Sequence, residues 1–271
     1  MNPFHWFKKK PHTLGLALSG GSTRGAAHIG VLQVLEREGI RPQVIAGTST
    51  GAIIGAAYAA GVPVDQISHM FLETSWPNLL SIAWSNRLSL FDTEPLAAFI
   101  RANIGDISFE ELPRPFACVA CDLLTGERVV FDHGPVAEAV RASAAVPGLF
   151  SPVMQNGRML VDGGLLDNLP VEQARLMGAD YVIAIDVTAA AVMNHPPKDM
   201  LEVLMAASNL VQNRAAVPEL NRIDCYIRPD VEEFSAWSFD QSVEMEARGR
   251  AAAEGVIVQL KADLKRLAIK G

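Results

Sequence analysis

The sequence is poor in cysteine, and this scarcity excludes a disulfide framework. Its 271 residues include only Cys118, Cys121 and Cys225, an odd number without regular spacing. Cys118 and Cys121 form a CxxC within an apolar run typical of a buried strand, where an offset of three places two side chains on opposite faces. No second cysteine pair completes a metal site, so we interpret both as core residues and expect neither a metal nor another cofactor.

Long apolar runs and basic charge are also lacking. No stretch reaches the roughly 20 residues of a transmembrane helix. The net charge is -7, whereas the electrostatic footprint of a nucleic-acid-binding protein is normally basic. Near the amino terminus, aromatic residues precede Lys8, Lys9 and Lys10, the reverse of the order in a signal peptide. We therefore expect a cytoplasmic protein, with peripheral contact of this tail at the inner face of the membrane as a further hypothesis.

The sequence does contain a repeated succession of apolar strand, glycine turn and helix. Hydrophobic residues make up 49% of it, which supports a large core. We predict strands at 14–18, 44–46, 116–122, 128–131, 181–187 and 224–228, helices at 25–38, 52–60, 136–143, 170–177, 199–214 and 240–268, and a hairpin around Asn156 and Gly157. This alternation predicts a three-layer α/β/α sandwich with a mostly parallel central sheet. Residues 1–12 would form a tail and 13–271 a single domain.

A serine stands at the second strand-to-helix turn. Gly47-Thr48-Ser49-Thr50-Gly51 is a GxSxG sequence between an apolar strand and an alanine-rich helix. Gly47 and Gly51 permit a tight turn that exposes the Ser49 hydroxyl at the end of the sheet. The pattern also occurs by chance as a structural turn, but this context favours a nucleophile.

The first strand ends in another glycine turn, Gly20-Gly21-Ser22-Thr23-Arg24-Gly25. A P-loop would need lysine at position 26, where alanine stands, and a dinucleotide fingerprint would need glycine at position 22. We therefore interpret the turn as an oxyanion hole, in which backbone N–H groups near Gly21 and Ser22 point at the carbonyl that Ser49 attacks.

The base for this serine is less obvious from the residues. His28 lies within the first helix and is interpreted as a packing or capping residue, while an α/β-hydrolase order would leave only His195 in a proline-rich loop. Asp162, followed by Gly163 and Gly164 at a predicted strand end, is the better candidate, although a turn carboxylate that caps local N–H groups has the same pattern. Asp167 is a rival carboxylate that we expect to cap the next helix.

These elements, in this order, resemble the patatin-like phospholipase family, especially small bacterial members related to the catalytic domain of neuropathy target esterase. The stretches Ala120–Glu127 and Arg141–Gly148 resemble the same family. The resemblance implies a Ser–Asp dyad without histidine, in which Ser49 is the nucleophile, Asp162 the base and the Gly20–Gly25 turn, including Arg24, the oxyanion hole. It also implies cleavage of the carboxylic esters of (lyso)phospholipids or related lipids. The family often has a third glycine where Ser22 stands, so we expect the serine side chain either to narrow the hole or to alter the backbone angles there.

Several alternatives stay open at this stage. They are an esterase that uses His195, an acyltransferase that passes the acyl group to an alcohol, and an adaptor that retains the fold without activity. The apolar residues between positions 70 and 91 fit either an acyl channel with lipid contact or ordinary core packing. Head-group preference and oligomeric state are not indicated by the sequence.

Overall fold

The computed structural model describes residues 12–73, 88–188, 196–216, 221–235 and 239–267. The strands are β1 (Leu14–Leu18), β2 (Val44–Thr48), β3 (Ser89–Phe91), β4 (Phe116–Asp122), β5 (Glu127–Phe131), β6 (Gly148–Phe150), β7 (Val153–Gln155), β8 (Arg158–Asp162), β9 (Tyr181–Ile185) and β10 (Cys225–Ile227). The α-helices are α1 (Ala26–Arg37), α2 (Thr50–Ala59), α3 (Val64–Glu73), α4 (Glu94–Ile104), α5 (Val136–Ser143), α6 (Val171–Leu176), α7 (Met200–Ala216) and α8 (Ser242–Leu267).

The central sheet is mostly parallel, as predicted. Its strands run in the order β10-β9-β1-β2-β4-β8-β7, and β5 pairs with β4 outside this path. Every pairing among β10, β9, β1, β2 and β4 is parallel, which requires the helical crossovers that the sequence pattern indicates. The strands β5, β8 and β7 add antiparallel pairs at one side.

Helices cover both faces of the sheet. On β1, Leu14, Leu16 and Leu18 point to a large core that includes residues of α1, α2 and α8. Ala17 points the other way, into a smaller core that includes Val171 of α6. The alternation along one strand thus separates two apolar layers, and the predicted three-layer architecture is confirmed.

The strands β2 and β8 pair with successive parts of the same edge of β4. Residues Cys118 to Asp122 pair with β5 on one edge of β4. On the opposite edge, β2 occupies the first part of β4 and β8 the second, since Thr48 pairs with Val119 and Asp162 pairs with Ala120. The carboxyl ends of β2 and β8 therefore meet at neighbouring positions of one strand.

Several local predictions are confirmed and others need correction. The hairpin between β7 and β8 has Asn156 and Gly157 at φ 51° and 77°, the positive values of a type I′ turn. The predicted helix at 52–60 begins earlier, at Thr50, because the chain turns into helical geometry directly after Ser49. The small parallel sheet of β3 and β6 was not predicted, because strands of three residues have too few side chains for a periodic pattern.

The CxxC residues lie in the core, as expected. Cys118 and Cys121 are both buried in β4, and burial raises the pKa of the Cys118 thiol. Within the described ranges, no group of three or more histidine, cysteine or acidic residues has the geometry of a metal site. In the same ranges, no helix combines the length and the hydropathy needed to cross a bilayer.

Close packing of α1 on α8 leads to a stability prediction. A methyl group added at Gly249 would lie 2.0 Å from the carbonyl oxygen of Ala27, whereas one added at Gly255 of the same helix meets no atom within 4 Å. We expect Gly249→Ala to lower the free energy of unfolding by about 1–3 kcal/mol through overpacking. Gly255→Ala should raise it by up to about 1 kcal/mol through helix propensity. Urea denaturation of both variants checks this, and equal effects would contradict the packing described here.

Candidate active site

Ser49 occupies a strained turn between β2 and α2. Its backbone has φ 54° and ψ −122°, a conformation that few residues other than glycine adopt. A methyl group at Gly47 would lie 2.4 Å from the carbonyl oxygen of Gly51, and one at Gly51 would lie 2.4 Å from that of Leu18. The glycines of the GxSxG sequence are thus required by space, and they allow α2 to start directly behind the serine.

Asp162 is fully buried at the carboxyl end of β8. Its Oδ1 accepts a hydrogen bond of 2.8 Å from the N–H of Gly164. Burial raises the pKa of Asp162 from its ordinary 3.8 to about 6, and the nearby Ser49 hydroxyl and the hydrogen bond from Gly164 only partly offset this rise. A carboxyl group with this pKa changes protonation close to neutral pH.

Ser49 and Asp162 meet because β2 and β8 share one edge of β4. The Ser49 hydroxyl is near enough to lower the pKa of the carboxyl group, yet Oδ2 of Asp162 has no partner among the described residues that satisfies hydrogen-bond distance and angle limits. The hydroxyl and the carboxyl group are therefore close together but only in loose contact. Catalytic hydrogen bonds often become shorter and better aligned when a substrate binds.

The Gly20–Gly25 turn lies against Ser49. A methyl group at Gly20 would be 3.1 Å from Cβ of Ser49, so the turn packs directly on the serine. Ser22 has φ 55°, the left-handed conformation that favours glycine. The N–H groups of Gly20 and Arg24 are used, since they donate to the carbonyl oxygens of Asn168 and Gly21 at 3.1 and 3.2 Å. The N–H of Gly21 has no acceptor among the described residues.

The side chains of this turn hold it to the carboxyl-terminal part of the fold. Arg24 is buried, and its Nε donates to the carbonyl oxygen of Phe234 at 2.9 Å. Thr23 Oγ1 donates to the carbonyl oxygen of Ser235 at 3.1 Å. Arg24 therefore anchors the turn through its side chain while its backbone N–H closes the turn itself.

Two buried residues next to the site were not identified from the sequence. The Ser143 hydroxyl oxygen accepts a hydrogen bond from the backbone N–H of Ser49. The backbone carbonyl oxygen of Asn168 accepts one from the N–H of Gly20. Asn168 also donates through Nδ2 to Thr188 Oγ1 at 2.8 Å. Ser143 lies in the Arg141–Gly148 stretch that carries part of the family resemblance, so the sequence drew attention to this segment. The hydrogen-bond partner Ser49 is 94 residues away, and the contact itself was therefore not predicted.

The rival acid and base candidates lie elsewhere. His28 is fully buried, its Nε2 donates to the carbonyl oxygen of Ser19 at 2.9 Å, and burial lowers its pKa to about 4. No described histidine hydrogen-bonds to Ser49, and His195 lies outside the described residues. Asp167 pairs with Arg128 at 3.0 Å. The expectation that Asp167 caps α6 is wrong, because Pro170 is the N-cap residue of that helix.

Comparison with known proteins places this geometry in a family. The model of the patatin-like phospholipase family matches residues 16–175, which include Ser49, Asp162 and the Gly20–Gly25 turn. The chain belongs to the patatin-like phospholipase family. The suspected relation to neuropathy target esterase is also confirmed, because the curated relatives of this patatin-like chain include NTE family proteins.

These relatives are longer than the patatin-like chain described here. An uncharacterised NTE family protein of Mycobacterium tuberculosis is 33% identical to this chain, and the match covers 94% of this chain and 48% of the relative. A lysophospholipase, NTE1 of Saccharomyces cerevisiae, is 28% identical over 86% of this chain and 16% of its own length. The chain thus spans about half the length of the mycobacterial protein.

Solved structures support the patatin-like fold. VipD from Legionella pneumophila has a TM-score of 0.64 at 15% identity, and the match covers 92% of this chain and 67% of VipD. The type III effector ExoU has a TM-score of 0.50 at 16% identity, with 92% of this chain and 53% of ExoU covered. At this identity the likeness concerns the fold alone.

Proposed function

We propose that this chain hydrolyses the carboxylic esters of (lyso)phospholipids or related lipids through a dyad of Ser49 and Asp162. The observation that carries the proposal is the meeting, at one edge of β4, of a serine in a strained turn and a buried carboxyl group. Family membership and the lysophospholipase named among the relatives support the lipid ester as substrate.

The first half of the reaction would form an acyl-enzyme. Ser49 Oγ attacks the ester carbonyl carbon while Asp162 takes the hydroxyl proton. The negative charge that develops on the carbonyl oxygen would be stabilised by the N–H of Gly21. Collapse of the tetrahedral intermediate breaks the ester bond, and the departing alcohol receives the proton from Asp162. The acyl group remains on Ser49.

The second half would release the fatty acid. Asp162 now takes a proton from water, whose oxygen attacks the acyl carbon. The same N–H group binds the second oxyanion, and Ser49 leaves with the proton that Asp162 returns to it. One carboxyl group therefore serves both halves as acceptor and donor, which favours a pKa near the working pH.

The burial of Asp162 leads to a pH prediction. The base must be ionised, and burial raises the pKa of Asp162 to about 6. We expect kcat/KM for a short p-nitrophenyl ester to rise with pH through about 6 and to level off above it. His195→Ala should leave this profile unchanged. Loss of activity in His195→Ala would instead favour the esterase that uses His195.

The described residues of the apolar stretch between positions 70 and 91 agree partly with core packing and partly with lipid contact. Phe71 is buried in the core, whereas Leu88 and Leu90 are exposed by 60% and 48%. Residues 74–87, like the amino-terminal tail proposed to touch the membrane, lie outside the described residues. Exposed leucines near β3 support lipid contact as part of the proposed function.

A further inference from the structure

Ser143, at the end of α5, makes two hydrogen bonds that tie the Ser49 turn to the sheet. Its Oγ accepts from the backbone N–H of Ser49 at 3.0 Å and donates to the carbonyl oxygen of Val119 at 2.6 Å. A serine hydroxyl has one proton and two lone pairs, so donation to Val119 leaves Oγ oriented to accept from Ser49. The Ser143 side chain is completely buried, which keeps water from replacing either bond.

The same short segment also holds Asp162. The carbonyl oxygen of Ala145, two residues after Ser143, accepts from the backbone N–H of Asp162 at 2.9 Å. Residues 143–145 therefore contact the backbones of both Ser49 and Asp162. The strand β4 does the same through Val119 and Ala120, which pair with the ends of β2 and β8. Two connections, joined by the hydrogen bond from Ser143 to Val119, thus fix the separation of the two residues.

We propose that Ser143 is a positioning residue that holds the Ser49 turn at its working distance from Asp162. The inference rests on the proposed function, in which these two residues form the dyad. Ser49 needs such support because its backbone lies in a region that is stable only when surrounding contacts impose it. Without the hydroxyl, the Ser49 N–H would be buried without an acceptor and the turn would relax.

The test compares Ser143→Ala with Ser68→Ala. Ser68, in α3, is a matched control because it is also buried. Its hydroxyl donates to the side chain of Glu246 in α8 at 2.7 Å, away from the site. We expect kcat of Ser143→Ala to fall about 10- to 100-fold with little change in KM, because small misplacements of reacting groups cost this much. Ser68→Ala should keep the wild-type kcat.

A structural role alone would not change the pH profile, so this profile is the second readout. The nearby Ser49 hydroxyl lowers the pKa of Asp162. A relaxed turn weakens that interaction, and the acid limb of kcat/KM in Ser143→Ala should move to higher pH. Ser143→Cys replaces the hydroxyl with a somewhat larger, weaker hydrogen-bonding group and should lie between wild type and Ser143→Ala. If Ser143→Ala does not fold, the kcat and the pH profile of Ser143→Cys decide the test.

Amide hydrogen exchange at Ser49 separates this inference from the proposed function. Faster exchange in Ser143→Ala than in Ser68→Ala supports the positioning role even if the wild-type chain hydrolyses no ester, in which case the proposed function fails. The opposite outcome requires an active wild type. If Ser143→Ala then has the same kcat, the same pH profile and the same amide exchange at Ser49 as Ser68→Ala, the inference is overturned.

Discussion

Asp162→Asn is expected to abolish ester hydrolysis and, at neutral pH, to make the folded chain more stable. Asparagine cannot accept the Ser49 proton, so we expect a loss of at least about 10³-fold in kcat. The gain in stability has a separate cause. Burial raises the pKa of Asp162 from 3.8 to about 6, so ionisation of this group opposes folding.

The sign of the stability effect depends on pH. Between pH 3.8 and about 6 the folded chain binds more protons at position 162 than the unfolded chain, so stability falls as pH rises. A shift of this size corresponds to about 3 kcal/mol above pH 6. Asp162→Asn avoids this cost, and its Oδ1 can still accept from the N–H of Gly164. The variant should exceed wild type in stability at pH 7.5 and match it near pH 4.

Urea denaturation at both pH values checks the prediction, with Asp122→Asn as a control. Asp122 is also an aspartate at a strand end. Burial alone would raise its pKa, but hydrogen bonds from Leu124, Met159 and Thr125 lower it overall. Asp122→Asn should therefore show no gain at neutral pH. An Asp162→Asn variant that is less stable than wild type at pH 7.5 would contradict the account of Asp162.

Substitution of Ser49 is expected to have the largest effect on activity. Ser49→Ala and Ser49→Gly both remove the attacking oxygen, and each should lower kcat by at least about 10⁴-fold. Their stabilities should differ, because position 49 has φ 54° and ψ −122°. Glycine adopts this conformation without the cost that a Cβ imposes, so Ser49→Gly should be more stable than Ser49→Ala by about 1 kcal/mol.

Thermal unfolding of the two variants measures this difference, and p-nitrophenyl ester turnover measures the activity. Ser68→Ala is the matched control for both, since it removes a buried serine hydroxyl remote from the site. Substantial turnover by Ser49→Gly would refute the role of Ser49. Equal stability of the two variants would show that the turn relaxes without strain.

The sequence indicated the fold, and it singled out Ser49 and Asp162 as candidate residues, because both depend on local patterns. Apolar strands of five residues such as Leu14–Leu18, followed by glycine turns and helices, predict a parallel sheet without tertiary information. The glycines around Ser49 and after Asp162 mark close approaches of the chain, which only small residues permit. The dyad itself came from the resemblance to a family.

Contacts between distant segments were not predictable in the same way. The placement of β8 beside β2 on one edge of β4 depends on pairing registers that no local pattern encodes. The bond of Ser143 to Ser49 joins residues 94 positions apart. The use of the Gly20 N–H by Asn168 removes one donor from the predicted oxyanion hole, and the sequence shows only that the turn is rich in glycine.

Labelling with a fluorophosphonate, followed by mass spectrometry of peptides, tests the central claim most directly. Ser49 Oγ would attack phosphorus, fluoride would leave, and Asp162 would take the hydroxyl proton. We expect a single adduct on Ser49 in the wild-type chain, formed faster as pH rises through about 6, and very slow labelling of Asp162→Asn. Folded wild-type chain without an adduct on Ser49, or Asp162→Asn labelled at the wild-type rate, would contradict the account.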